Sequence, residues 1–265
     1  MTPDFDHTFV VPAYGCSAHL RECLASLRGQ TRPSPIVVAT STPFDGLEPL
    51  AKEYGARLAV HSPNAGIGHD WNFALAQART PWVTLAHQDD LYLPAFVEQT
   101  MAMAASEPEA VLLFTDYGES LDGQRRNTTP MLMIKRLLLE VGFLGRPTVS
   151  RTGAKLRLLR FGCPIPCPAV TMKVSAAAVN FREDLKVNLD WDAWMRLAVK
   201  GGAFGYVRDL LMLHRIHAGS ETSDAIRQGV RAAEDLTMFQ SLWPEPIARL
   251  LARAYSLSYE TGSDR

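Results

Sequence analysis

A chain of 265 residues with 47% hydrophobic and 21% charged side chains is long enough to bury one large core and is ordinary in composition for a globular protein. Its net charge of -1 excludes the basic balance of a general nucleic-acid binder, so no nucleic-acid partner is expected. The charge is uneven: residues 1–124 hold 15 acidic against 6 basic side chains, whereas residues 125–160 hold 9 basic against 1 acidic.

Four cysteines are too few for a disulfide framework in a chain of this length. Cys163 and Cys167, in CPIPC, have no second Cys or His pair at zinc-ligand spacing, so reduced, partly buried thiols are expected. The N-terminus MTPDFDHTFVV is acidic where a signal peptide would be basic. No run reaches the roughly 18 apolar residues needed to cross a bilayer. These features predict a cytoplasmic location, with peripheral contact at the inner face of the cell membrane open to the basic segment.

His7 to Pro12 (HTFVVP) reads as a buried parallel strand. Leu20, Leu24 and Leu27 then fall on one face of a helix over 18–28. Ile36–Ala39 is a second strand, Leu47–Tyr54 a helix stopped by Gly55, and Arg57–His61 a third strand. The loop Asn64-Ala-Gly-Ile-Gly precedes a helix from about Asp70 to Ala78, and Pro81–Ala86 is a fourth strand ending at His87-Gln88-Asp89-Asp90. Such alternation predicts a mostly parallel α/β sheet, whose ligands bind beyond the carboxyl ends of the strands. Tyr14, Thr40, Asn64 and Asp89 all fall there.

After Tyr117 the pattern loosens. LDGQRRNTTP reads as a connector, Met131–Gly142 as a helix, 145–160 as a basic stretch of irregular periodicity, and CPIPCP as extended. Ala169–Val174 is a strand, Asp190–Val199 a helix that starts with acids, Phe204–Val207 a strand, and the chain from about Asp224 a helical tail. The division expected is 1–120 for one half of the domain, 121–223 for the other, and 224–265 for the tail.

Three clusters carry chemistry. The adjacent carboxylates of HQDD repel each other at a strand end, and a hard divalent ion offsets that cost; a solvated turn or helix cap before Leu91 is the alternative. Asp190, in LDWDAW, is either a cap or a carboxylate general base. In His214-Arg215-Ile216-His217, alternation places Arg215 and His217 on one face, where Arg can neutralise phosphate and His can complete a metal shell.

These pieces, in this order, resemble glycosyltransferase family 2, whose fold is the GT-A type. The resemblance runs from Phe9 to about Thr222 through FVVPAYGCSAHLRECLASLRGQ, NAGIGHDWNFALAQA, HQDD, DWDAWMRLA and HRIHAGSET. It implies a Rossmann-like, mostly parallel sheet flanked by helices, and transfer of a sugar from a nucleotide-sugar donor to an acceptor hydroxyl with inversion. Asp190 would be the catalytic base, and Asp89 and His217 would hold a divalent metal, Mn²⁺ or Mg²⁺. Pro12, Ala13, Tyr14, Thr40, Asn64, Gly66, Asn72, His87, Gln88, Asp90 and Arg215 would surround the donor. The basic residues of 125–160, interleaved with leucines, are either a solvated helix surface or a surface that meets anionic lipid or a lipid-linked acceptor; the acceptor expected is a glycan or lipid-linked glycan of a cell-surface polysaccharide.

The sequence departs from the family pattern at three places. Ala39-Thr40-Ser41 stands where an Asp-Asp pair serves the nucleotide base, His87 replaces the first acid of Asp-x-Asp, and Trp71 stands where a basic residue is common. The competing reading is a catalytically degenerate GT-A-like module that binds a nucleotide or sugar.

Overall fold

The computed structural model describes residues 5–176, 180–217, 219–220 and 225–263, with side chains to residue 256. The first half alternates as expected: β1 (His7–Pro12), α1 (Leu20–Arg28), β2 (Ile36–Thr40), α2 (Leu47–Glu53), β3 (Arg57–Val60), α3 (Ile67–Ala76) and β4 (Trp82–Leu85). There follow β5 (Leu91–Tyr92), α4 (Phe96–Ser106), β6 (Ala110–Leu121), β7 (Gln124–Arg126), α5 (Pro130–Phe143), β8 (Thr148–Val149) and α6 (Thr152–Leu159). The last part comprises a 3₁₀ turn (Cys167–Ala169), β9 (Val170–Lys173), α7 (Leu189–Ala198), β10 (Ala203–Ile216), α8 (Val230–Leu242) and α9 (Glu245–Ser263).

One sheet runs in the order β3-β2-β1-β4-β9-β6-β10-β5, with β7 on β6 and β8 on β10. Strands β3, β2, β1 and β4 are mutually parallel, as are β6 and β10, while β9 lies antiparallel between the two groups. The carboxyl ends of β1–β4, β6 and β10 therefore share one edge. The antiparallel β9 starts at that edge, and so does β5.

Residue alternation assigns the two faces. Phe9, Val11, Ile36, Val38 and Leu113 pack with Leu24 of α1, Leu47 of α2 and Phe96 of α4. Val10, Val37, Ala39, Leu112 and Phe114 pack with Trp71 of α3, Phe143 of α5, Trp191 of α7 and Phe239 of α8. The result is a sheet covered by helices on both faces. The helical tail belongs to the body: Trp191 meets the rings of Phe239 and Tyr255, with centroids 5.0 and 6.1 Å away.

Three features differ from the sequence expectation. The loosened stretch near Tyr117 is the interior of β6, a twelve-residue strand. Phe204–Val207 is only the start of β10, which runs fourteen residues because register shifts around Leu210 absorb the exposed Arg208-Asp209 pair that breaks its apolar run. The stretch 145–160 contains helix α6. Its periodicity is interrupted by Lys155, which is wholly buried and donates from Nζ to the carbonyls of Lys200 and Gly202 at 2.8 and 2.9 Å. The beginning of the helical tail near Asp224, like Thr222, lies outside the described residues.

Candidate active site

The shared edge opens into a cleft of about 740 Å³. Of the residues singled out from sequence, Pro12, Ala13, Tyr14, Asn64, Gly66, His87, Gln88, Asp89 and Asp190 line it. Thr40, Asn72, Asp90, Arg215 and His217 are not among the described residues that line it.

The loop after β1 is tied to the turn after β4. Gln88 accepts from the Tyr14 amide through Oε1 (3.1 Å) and donates to its carbonyl through Nε2 (3.2 Å). The Tyr14 ring is left 55% exposed at the cleft mouth. Asn64 Oδ1 accepts from the Gly66 amide at 3.2 Å, and Gly66 adopts φ +102°, a region open to glycine, before α3 starts. Two residues further, a Cβ on Gly68 would meet the Arg182 carbonyl at 2.5 Å. Gly68 thus lets the segment leading to α7 lie against α3. Asn72 clamps that segment: it accepts from the Phe181 amide (2.7 Å) and donates to the Phe181 carbonyl (2.9 Å). Its amide is spent on positioning.

Asp89 and Asp90 sit in the tight passage from β4 to β5. Asp90 is fully buried; its Oδ1 accepts from the Arg215 amide (2.8 Å) and lies 3.0 Å from His214 Nδ1. Asp89 Oδ2 lies 2.8 Å from His217 Nε2. The end of β10 therefore contributes from both its faces, His214 to Asp90 and His217 to Asp89. Arg215 is a brace: Nε donates to the Asp89 carbonyl at 2.8 Å and Nη2 pairs with Glu22 at 2.5 Å. Burial pushes the Asp89 carboxyl up, but His87, His217 and His214 outweigh it and hold the group below its ordinary value. Burial lowers His214, and the Asp90 charge and contact reverse that, raising it to about 8.

The donors fit a divalent cation. One ligand atom each from His87, Asp89 and Asp90 lie within 4.8 Å of one another. Among the described residues, Asp90 Oδ2 and His87 Nε2 are buried without a hydrogen-bond partner, which suits them to serve as ligand atoms.

Asp190 lies in the first turn of α7, where its Oδ1 accepts from the Trp191 amide (2.7 Å) and its Oδ2 from the Cys167 amide (3.3 Å). Burial raises its pKa above the ordinary 3.8 in spite of both hydrogen bonds. The four cysteines are free thiols, and burial pushes Cys163 and Cys167, which line the cleft beside Asp190, well up.

Sequence reasoning passed over Asp70. Thr40 is buried and its hydroxyl accepts from the Thr42 amide at 3.0 Å, capping its own turn. The carboxylate near this strand end comes instead from α3: Asp70 lines the cleft and accepts from the Ser41 hydroxyl at 3.1 Å. His61 Nε2 is 3.0 Å from Asp70 Oδ1, at ion-pair distance without hydrogen-bond alignment. An acid in the first turn of a helix ordinarily reads as dipole compensation, which hid it. Trp71 is buried, packing on His87 and Phe181 with centroids 4.9 Å away in each case.

Residues 8–174, more than half the chain, match the model of glycosyl transferase family 2. The chain belongs to this family. Its activity class is that of a glycosyltransferase using a nucleotide sugar. An uncharacterized glycosyltransferase of Rickettsia typhi, RT0329, is 22% identical over 242 residues, covering 89% of this chain and 70% of that protein. The putative glycosyltransferase EpsH of Bacillus subtilis is 27% identical over 131 residues, 46% of this chain and 38% of its own length. Among solved structures, S. aureus TarS 1-349 in complex with UDP-GlcNAc aligns with a TM-score of 0.63 at 17% identity, covering 96% of this chain and 72% of that one. A mannosyltransferase of Pyrobaculum calidifontis, PcManGT, in complex with GDP-Man and Mn²⁺ aligns with a TM-score of 0.61 at 17% identity, over 95% and 69%. These likenesses show that the chain has a GT-A-type fold.

Proposed function

We propose that the protein transfers a sugar from a nucleotide-sugar donor to an acceptor hydroxyl, with inversion at the anomeric carbon, in cell-surface polysaccharide synthesis on the cytoplasmic side. The observation that carries this reading is that Asp89, at the end of β4, and Asp190, at the start of α7, line one cleft. Pro12, Ala13 and the exposed Tyr14 ring receive the nucleoside, and Asp70 offers a carboxylate to the base where Thr40 has none to give. Asn64 and Gly66 form the adjoining wall.

Asp89 and His217 would hold a divalent ion, with His87 and Asp90 beside Asp89 as further donors, and such an ion would supply positive charge to the departing diphosphate. Asp190 takes the proton of the attacking hydroxyl, whose oxygen bonds to the anomeric carbon as the bond to the diphosphate oxygen breaks and its electron pair leaves with the nucleotide. One carboxylate acting as base, with no covalent sugar on the protein, yields inversion. Residues 1–120 serve the donor and 121–223 the acceptor, and Ala225, Gln228, Arg231 and Tyr255 of the tail assigned to 224–265 add to the wall of the cleft. Mn²⁺ bound with GDP-Man in the Pyrobaculum structure supports the metal assignment.

Calorimetric titration of UDP, dTDP and GDP with and without Mn²⁺, on wild type and Asp89→Ala, tests the reading. Metal-dependent binding of one nucleotide, weakened by about 100-fold or more in the variant, is expected. Absence of binding by all three nucleotides under both conditions would leave the degenerate module in its place.

A further inference from the structure

Helix α5 has two apolar faces, and one is uncovered. Leu132, Leu139 and Phe143 are buried, whereas Met133, Ile134, Leu137, Val141 and the capping Leu144 are exposed along one side. A contiguous row of this kind marks an interaction surface, unlike isolated surface leucines. Next to Ile134 the row meets an apolar groove of about 250 Å³, walled by Ile134, Leu138, Phe161, Leu251 and Ala254. At its inner end the groove joins the cleft, because Lys135, Cys163 and Tyr255 line both. At this junction Lys135 Nζ donates to the Tyr117 hydroxyl at 2.8 Å, and among the described residues it has no carboxylate partner.

A partly buried ammonium whose hydrogen bond goes to a neutral phenol and whose carboxylate neighbour in the cleft, Asp190, makes no direct pair with it, set where a polar cleft meets an apolar groove, suits an amphiphile with an anionic group and a hydrocarbon chain behind it. The surroundings favour the same ligand. Arg125 and Arg126 precede α5, Arg146 follows it and Arg160 adjoins Phe161, all four exposed. A second copy docked on this face would oppose these arginines to their own counterparts, whereas an anionic bilayer neutralises them.

We propose, resting on the transferase reading above, that the groove holds the hydrocarbon chain of a lipid-linked acceptor, its phosphate at Lys135 and its glycan end directed toward Asp190, delivered from an anionic membrane lying against α5.

The full chain is titrated with farnesyl monophosphate below its micelle concentration, with inorganic phosphate and farnesol as controls and UDP with Mn²⁺ on the same samples. Saturable binding about 10-fold or more tighter than either control is expected. Ala254→Trp, which fills the groove from an exposed position, and Ile134→Glu, which charges its wall, should each abolish farnesyl monophosphate binding while UDP binding persists. Equal binding to wild type and both variants, or none to wild type, overturns the proposal; persistent UDP binding then leaves the transferase reading standing, and its loss in wild type removes that reading too. A dimer in light scattering that Ile134→Glu dissolves, with no farnesyl monophosphate bound, assigns the face to a second copy and likewise overturns it.

Discussion

At one end of the cleft, β3, β2, β1 and β4 finish side by side, and Tyr14, Asn64 and Asp89 each stand within a few residues of a strand end. At the other, Lys135 of α5, Cys163 and Cys167 before β9, Asp190 of α7 and Tyr255 of α9 converge from across half the chain. The first end is held by local geometry: a parallel sheet obliges its loops to cluster, so a short motif is enough to place a side chain. The second is held by packing between helices distant in sequence, and its polar groups are placed by contacts such as Asp190 with the Cys167 amide. The contrast teaches that the two ends are open to different damage, the loss of one side chain in the first and the loosening of a shared core in the second.

The largest effect expected is at Asp190. Asp190→Asn should cut turnover by about 10²–10⁴-fold with nucleotide binding unchanged, measured by steady-state kinetics beside calorimetry. Because the base works ionised and burial raises its pKa, the wild-type rate should fall as pH drops through a value above the ordinary 3.8. A variant that loses donor binding in equal measure would mean that Asp190 serves the fold or the donor, and the two ends would not be separable.

The next effect is on stability. Trp191 is fully buried and donates from Nε1 to the Leu159 carbonyl at 3.1 Å. Trp191→Ala should cost about 3–5 kcal/mol in denaturant unfolding, whereas Leu137→Ala, on the exposed row of α5, should stay within about 0.5 kcal/mol. Similar costs at both positions would show that the row is covered in the isolated chain.

The smallest effect sharpens the nucleotide end. Asp70→Asn keeps shape and removes the charge, and should weaken the preferred nucleoside diphosphate by about 10-fold with the Mn²⁺ dependence intact, read by the same calorimetry. Unchanged affinity would confine Asp70 to bracing Ser41 and His61.

Legibility in the sequence follows the same division. The first four strands and three helices carry clean apolar periods, and HQDD at the end of β4 announces itself because paired acids at a strand end are costly. The long strands β6 and β10 were hidden, the first because its second half, DYGESL, is polar, the second because a bulge interrupts its alternation at Arg208-Asp209. Basic residues 125–160 read as one surface, yet Lys155 is buried as a carbonyl ligand and Arg136 pairs with Asp116 at 2.8 Å. Composition records a charge without recording which way it points.

The sequence by itself determined the α/β class, the strand edge at which chemistry gathers and the family, because alternation and strand-end motifs are local properties of the chain. Only the tertiary structure decided that Arg215 and Asn72 brace the backbone, that Asp70 of α3 arrives in the cleft beside Ser41, and that a groove next to the uncovered face of α5 adjoins the cleft. Each of those depends on which distant segment arrives beside the residue, and that is settled by the packing of helices on the sheet, which no short stretch of sequence contains.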